Sequence, residues 1–369
     1  MIKWDLLNKV KNKIALAATL LLSAQFCYAD ECHMGIKGTE GGSSELVMTS
    51  YSNAIRWARS YGPGSSTTMR LIGTAEMDLN PWLESRCDAG TDGQYLRAKF
   101  NSAYYDTTLS PTDGTVTYQT NIEGISFAVK IYSDAGGGYF QHSYDWMTIV
   151  PDNGDDRWDG KRWKAHIDIY QNDVDFKGNK NGETFLTPAA SFPLGQMGLG
   201  YSTGSATDDN RPWTFTVTPS SFRIPIINTT CQTMQLDHGG TNIDLGEYMI
   251  SEFNGSPRTT SFMVQLLGCD NVWAVDFKMS TPKITGPDDD LLANVLTSNA
   301  AEGVGVRIRS VYRDENIKPA STTITYYGTD TSQGAGVGML TFTAELVKDG
   351  KPMKAGNFKG QTTFTTTYY

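Results

Sequence analysis

Short stretches in which apolar and polar residues alternate recur along the whole chain, and they constrain its fold more than any other feature. ISFAVKIYS (125–133), WKAHIDIY (163–170), WTFTVTPSSF (213–222), SFMVQLLGC (261–269), WAVDFKMS (273–280), GVGVRIRSV (303–311) and GMLTFTAELV (338–347) all follow a period of two. That period sends successive side chains to opposite faces of a strand, one buried and one wetted. In GVGVRIRSV, for instance, Val304, Val306 and Ile308 share one face while Arg307 and Arg309 point away. Loops rich in Gly, Asp and Asn separate the runs, and helical periodicity is poor. The pattern predicts an all-β protein built of sandwiches with Greek-key connections.

The compartment is written at the start. Lys3, Lys9, Lys11 and Lys13 precede the apolar run IALAATLLLSAQF, and Cys27, Tyr28 and Ala29 place small residues where a signal peptidase reads them. The run is too short to span a bilayer, so residues 1–29 are expected to be a removable export signal and not an anchor. Cleavage after Ala29 would remove a net +3 from a chain of net charge −9, leaving it more acidic still. Such a charge speaks against nucleic-acid binding. No second apolar run suits a membrane.

Four cysteines would remain: Cys32, Cys87, Cys231 and Cys269. An even number in an oxidising compartment predicts two disulfides, and the wide gap between the second and third suggests one in each of two domains. A bridge from Cys231 to Cys269 would contribute roughly 4 kcal/mol by restricting the unfolded chain. No pair has the C-x₂₋₄-C spacing of a zinc site. The expected division is 30–222, a joint at 223–230 where Pro225 interrupts the strand pattern, and 231–369. Asn228-Thr229-Thr230 matches a glycosylation sequon but reads as plain linker in a bacterial-looking chain.

The sequence given ends on FKGQTTFTTTYY, where Phe358, Thr362, Phe364, Thr366 and Tyr368 keep the strand period. After Cys231 the strands expected are TNIDLGEYM (241–249), 260–269, 272–280, 303–311, 338–347 and 358–369, one short of an immunoglobulin-like sandwich. An open place in a sandwich exposes apolar side chains and unpaired backbone, and a strand lent by another chain remedies both. Cys231 and Cys269, LGEY (245–248), AEGVGVRI (301–308) and GQTTFTTTYY with its penultimate Tyr368 resemble the pilin domain of chaperone–usher fimbriae. The resemblance implies that a periplasmic chaperone lends the missing strand and grips the ending at Phe364, Tyr368 and Tyr369. The usher and the adjacent pilus subunit would then replace the chaperone by donor-strand complementation. Only Asp30 and Glu31 would precede Cys32 in the mature chain, so no donor extension is expected. The architecture resembles two-domain tip adhesins, an N-terminal lectin-like domain joined to a pilin domain, both immunoglobulin-like β-sandwiches, exported through the periplasm to the fimbrial tip.

For residues 30–222 the resemblance is to fimbrial lectins that bind N-acetylglucosamine, carried by AVKIYSD (128–134), SYDWMTI (143–149), DDRWDGKRW (155–163) and the closing WTFTVTPSSF. The loop here holds more acids than that family, so the identity of the sugar does not transfer. A pyranose needs acceptors for its hydroxyls and a flat ring for its C–H face. The densest supply is 144–163, with Asp152, Asn153, Asp155, Asp156, Asp159, Trp158 and Trp163. The residues expected to bind a host glycan are Asp134, Trp158 and Asp159, then Asp156 and Gly160, while Trp163 starts a strand and reads as core. The same acids could simply form a solvated turn. The DNGDD stretch lacks EF-hand spacing, so no metal or other cofactor is implied. Asp155 and Asp159 are nominal glycosidase carboxylates with almost no specificity, no G-x-S-x-G elbow occurs, and His166 sits inside a strand; an enzyme is not expected. The contrasting reading is a protein-binding or structural tip cap without a sugar pocket.

Overall fold

The computed structural model describes residues 32–36, 41–51, 53–58, 69–87, 94–102, 104–105, 111, 114–151, 157–200, 212–319, 321–327 and 338–369. The expected export signal, Asp30 and Glu31 lie outside them. The described residues are all-β, with a single 3₁₀ turn at Ile250–Asn254.

The first domain is one branched sheet wrapped around one core. Its hub is the strand Lys161–Asn172, flanked by Met69–Asn80 and Leu83–Cys87 on one side and Ile125–Ser133 on the other. From Met69–Asn80 the sheet runs through Gly42–Tyr51, Trp213–Val217, Phe192–Gly200 and Tyr95–Phe100 to an edge at Met147–Val150. Trp213–Val217 lies parallel to Gly42–Tyr51, whereas the neighbouring pairs are antiparallel. The inward rows are fully buried, among them Phe127, Ile131, Ile167, Ile169, Leu199 and Phe215. ISFAVKIYS is buried on both faces along its first half. The residues that break the expected alternation there, Ser126 and Ala128, are small and stand opposite Tyr170 and Asp168.

The second domain packs two sheets face to face. One runs Thr233–Leu236, Thr259–Leu267, Met339–Lys348, Val304–Ser310, Leu291–Leu292, Ile284–Thr285, and the other Thr323–Tyr327, Ala274–Ser280, Thr363–Tyr368. Phe277 joins them, its ring 4.9 Å from that of Phe342 and 4.7 Å from that of Phe364. Two expectations are corrected here. TITYY (323–327) forms a strand that no alternating run announced. TNIDLGEYM forms none, because the chain turns within it: the Gly246 amide donates to Asp244 Oδ1 at 2.8 Å, and Gly246 takes a φ of +78°.

Both disulfides form, Cys32–Cys87 and Cys231–Cys269. The first ties directly opposed residues of two paired strands. The joint at 223–230 is itself structured. Ile224–Pro225 pairs with Phe185–Leu186, the Ile226 amide donates to Thr184 O at 3.0 Å, and Ile55 bridges Ile226. Beyond it Trp273 and Ala274 of the second domain join the first domain's core. Trp57, Phe176 and Trp273 pack in series there, tilted and edge-on, with ring centroids 5.0 and 5.1 Å apart.

Candidate functional site

Two places carry chemistry that folding alone does not explain. The first is the edge of the three-stranded sheet. Thr363–Tyr368 pairs with Ala274–Ser280 along one side, from Ser280↔Thr363 to Val275↔Tyr368, and with no strand along the other among the described residues. Its inward row, Phe364, Thr366 and Tyr368, is only half-buried. The inward row of Met339–Lys348 is by contrast closed: Leu340, Phe342 and Ala344 are at most 2% exposed. Phe364 lies stacked 5.9 Å from Phe342, so the ring is seated on the core with one flank open. Leu236, Ile243, Leu245, Tyr248 and Phe253 cap the same core incompletely. A strand hydrogen-bonded to Thr363–Tyr368 would cover one such flank and satisfy the free backbone groups together.

Between residues 247–258 and the strand Met339–Lys348 lies a cavity of about 400 Å³. Tyr248, Phe253 and Leu346 give it apolar walls, and Arg258, Arg307 and Lys348 line its rim together with Glu252, which is 3.5 Å from Arg258. Arg258 is stacked over the Tyr248 ring, 3.8 Å from its centroid. The sequence offered no sign of it, since its lining comes from three separated segments.

Tyr369 is held differently from its neighbours. Its amide donates to Ala274 O at 2.9 Å, its carbonyl accepts from Trp273 N at 2.6 Å, and its hydroxyl donates to Asp276. Burial first, then the Asp276 carboxylate, pushes that phenol up to about 12. The Tyr369 ring reaches the first domain, where the Lys180 ammonium stands over it at 5.6 Å.

The second place is the loop that leads into Lys161–Asn172. Asp134 is exposed at the turn after Ile125–Ser133 and is 3.4 Å from Lys161 Nζ. Asp159 accepts the Cys87 amide at 3.0 Å, which fastens the loop beside the disulfide. Gly160 adopts a φ of +64° at an open turn, with nothing near the position a Cβ would take. Arg157 donates to Ala135 O at 2.8 Å, joining the two loops into one rim. Asp156, with Asp152, Asn153 and Asp155, lies outside the described residues.

Trp158 is not on that rim. It is 1% exposed, its indole N–H donates to Gln94 O at 2.9 Å, and its ring stacks 5.8 Å from Trp163. A ring covered on all sides has no face to offer a sugar, so its expected role as the stacking platform is corrected to core. Trp163 is buried, as its place in a strand required. The exposed rings of this loop are Tyr144 and, in part, Trp146.

A third cluster covers the outer face of the hub strand. His166 lies between Glu76, at 2.6 Å, and Asp168, at 3.1 Å. Tyr132 donates to Glu76 and Tyr139 to Asp168. Burial works against the Glu76 charge, but these hydrogen bonds and the nearby Lys164 outweigh it and hold its carboxyl below the usual range. The polar groups satisfy one another, which is how a polar sheet face is stabilised without a ligand.

Comparison with known proteins places the second domain. Residues 220–369 match the model of the fimbrial protein family. The match takes in the whole of the second sandwich and less than half of the chain. Comparison with curated sequences finds no match. Among solved structures, the CupB6 tip adhesin from Pseudomonas aeruginosa superposes with a TM-score of 0.51 at 14% identity, over 91% of this chain and 94% of that one. At that identity the likeness is one of fold, and it extends over both domains. The P pilus rod subunit PapA aligns with 38% of this chain and 94% of its own (16% identity, TM-score 0.29). CfaE, the adhesive subunit of the CFA/I fimbria of enterotoxigenic Escherichia coli, aligns with 89% and 97% (9% identity, TM-score 0.23).

Proposed function

We propose that this protein is a fimbrial tip adhesin of the chaperone–usher type, displayed at the surface of a pilus. Its second domain joins the pilus by accepting a donor strand, and its first domain binds a host glycan. The observation that carries the assembly half is the free edge of Thr363–Tyr368, with Phe364 seated on the core and open on one flank. The partners are then a periplasmic chaperone, the outer-membrane usher and the next subunit, each offering or exchanging an extended segment at that edge. For the glycan half the support is the rim of Asp134, Asp159 and Gly160 on a loop that the Arg157 contact and the neighbouring disulfide hold in place.

The test is periplasmic expression of the full chain with and without a fimbrial chaperone. Stable soluble protein only in the presence of the chaperone, or of a peptide with alternating apolar residues from the neighbouring subunit, is the expected result. A monomer that folds and stays soluble alone would refute the assembly reading. One observation favours a second reading of the first domain, a protein-binding or structural tip cap: the burial of Trp158 leaves the acidic rim without the ring that a sugar would stack on. A folded first domain that meets no glycan on an array would support the cap.

A further inference from the structure

The flat rings missing from the acidic rim stand at the far end of the same edge strand. Met147–Val150 pairs only with Tyr95–Phe100 among the described residues and ends the sheet. At its C-terminal end Pro151 O accepts from Arg157, the residue that ties the Asp134 and Asp159 loops together. At its N-terminal end the segment 142–146 puts His142, Tyr144 and Trp146 at every second position. Tyr144 is 60% exposed and His142 is exposed, while Trp146 is half-buried.

These rings are held in place. Phe100, only 4% exposed, lies beneath them: His142 stacks on it at 5.2 Å, Tyr144 sits at 5.0 Å and Tyr105 meets it edge-on at 5.6 Å. Trp146 has the Lys99 ammonium 5.8 Å from its ring centroid, and its carbonyl accepts from Arg97. The turn that delivers Tyr105 is itself strained, with Tyr104 at a φ of +59°, a left-handed backbone that a side chain disfavours and that recurs where function demands it. Backing an exposed ring with a buried one fixes it before any ligand arrives, which lowers the entropy lost on binding.

We propose that Tyr144, Trp146 and His142 form a carbohydrate-stacking platform, and that an extended oligosaccharide lies along Met147–Val150 from these rings to the Asp134 rim. The occupant follows from the chemistry. Tyrosine, histidine and tryptophan each pair an apolar face with a polar edge, as a pyranose does. Continuity along one strand gives the chain both things that the rim or the rings alone lack: flat faces at one end and charged acceptors at the other. The open shape matches a chain laid on a surface and not a single sugar enclosed in a pocket. This inference rests on the glycan reading of the first domain.

The experiment uses the full chain, stabilised by its chaperone, on an array of mammalian oligosaccharides of one to six residues. The wild type is expected to prefer longer members of one series over their terminal monosaccharide. Tyr144→Ala and Trp146→Ala should each weaken binding to the best array member by about tenfold or more, with Tyr144→Phe retaining most of it and circular dichroism unchanged. Binding that survives both alanine variants but is lost in Asp134→Asn would overturn the platform while leaving the glycan reading intact. A blank array, with cell binding that persists after enzymatic deglycosylation, would overturn both together and point to a peptide paired along the free edge.

Discussion

At the scale of single residues, tryptophan gives the clearest lesson. Trp158 sits among Asp155, Asp156, Asp159 and Gly160, a neighbourhood that reads as a polar loop. Yet the residue closes the core, because Gln94 O accepts its N–H and Trp163 and Arg157 cover its faces. Local composition could not reveal this; it depends on contacts 64 residues away in sequence. Trp158→Ala is therefore expected to cost about 3–5 kcal/mol of first-domain stability, seen as a fall in the denaturation midpoint of that domain. A variant with unchanged stability and lost binding would restore the residue to the surface. His166, by contrast, was legible as structural, since its strand position was plain, although its two carboxylate partners were not. Glu76 sets the sign of a pH effect. Its carboxyl is held below its unfolded value, so the stabilisation is complete above the usual carboxylate range and is lost as pH falls through the lowered folded value. Replacing Glu76 with Gln should flatten the decline in first-domain stability on acidification below about pH 4.5, measured by thermal melts across that range.

At the scale of elements, the alternating runs found the strands whose two faces differ most. WKAHIDIY and GMLTFTAELV became Lys161–Asn172 and Met339–Lys348. Gly42–Tyr51, Met69–Asn80 and Phe192–Gly200 escaped notice. In the last, glycines replace side chains: a Cβ on Gly195 would stand 2.5 Å from Lys99 O and 2.7 Å from the Phe140 ring, so close packing demands a residue that also weakens the strand signal. The final strand was legible from its period, and its half-buried row follows from having one neighbour instead of two. On the proposal that a donor strand fills this edge, Phe364 is the residue where assembly and folding compete. Phe364→Ala should remove three ring contacts, with Phe277, Phe342 and Phe262, and destabilise the strand-filled domain by about 3–5 kcal/mol. The measurement is urea denaturation of the chaperone complex, read beside Thr365→Ala on the exposed face of the same strand, which should change it by no more than about 0.5 kcal/mol. Equal effects of the two would mean that the strand is not docked in this register.

At the scale of the whole molecule, length and cysteines led to the expectation of two domains, but the packing at their junction was not legible. Nothing in FRIPIINTT announces that Ile226 and Ile227 hydrogen-bond to the first domain, or that Trp57, Phe176 and Trp273 pack against one another across the boundary. The strand that borders the open edge takes part in this junction through Tyr369. Gly178 and Gly182, both in the turn that faces it, allow the contact to be isolated. Each has a left-handed backbone, φ +88° and +67°, so alanine at either costs about 1–2 kcal/mol in strain. Only at Gly178 would the added Cβ also collide, 2.3 Å from the Cβ of Tyr369; at Gly182 it would meet nothing. Subtracting one variant from the other removes the backbone cost and leaves the interdomain contact. Gly178→Ala is expected to separate the melting of the two domains and to expose 223–230 to protease, while Gly182→Ala lowers first-domain stability alone. Identical melting of the two variants would mean that Tyr369 does not couple the domains. If they differ, filling the edge beside Thr363–Tyr368 with a donor strand should suppress the difference, because a fixed strand holds Tyr369 against the first domain at whatever cost the new methyl imposes.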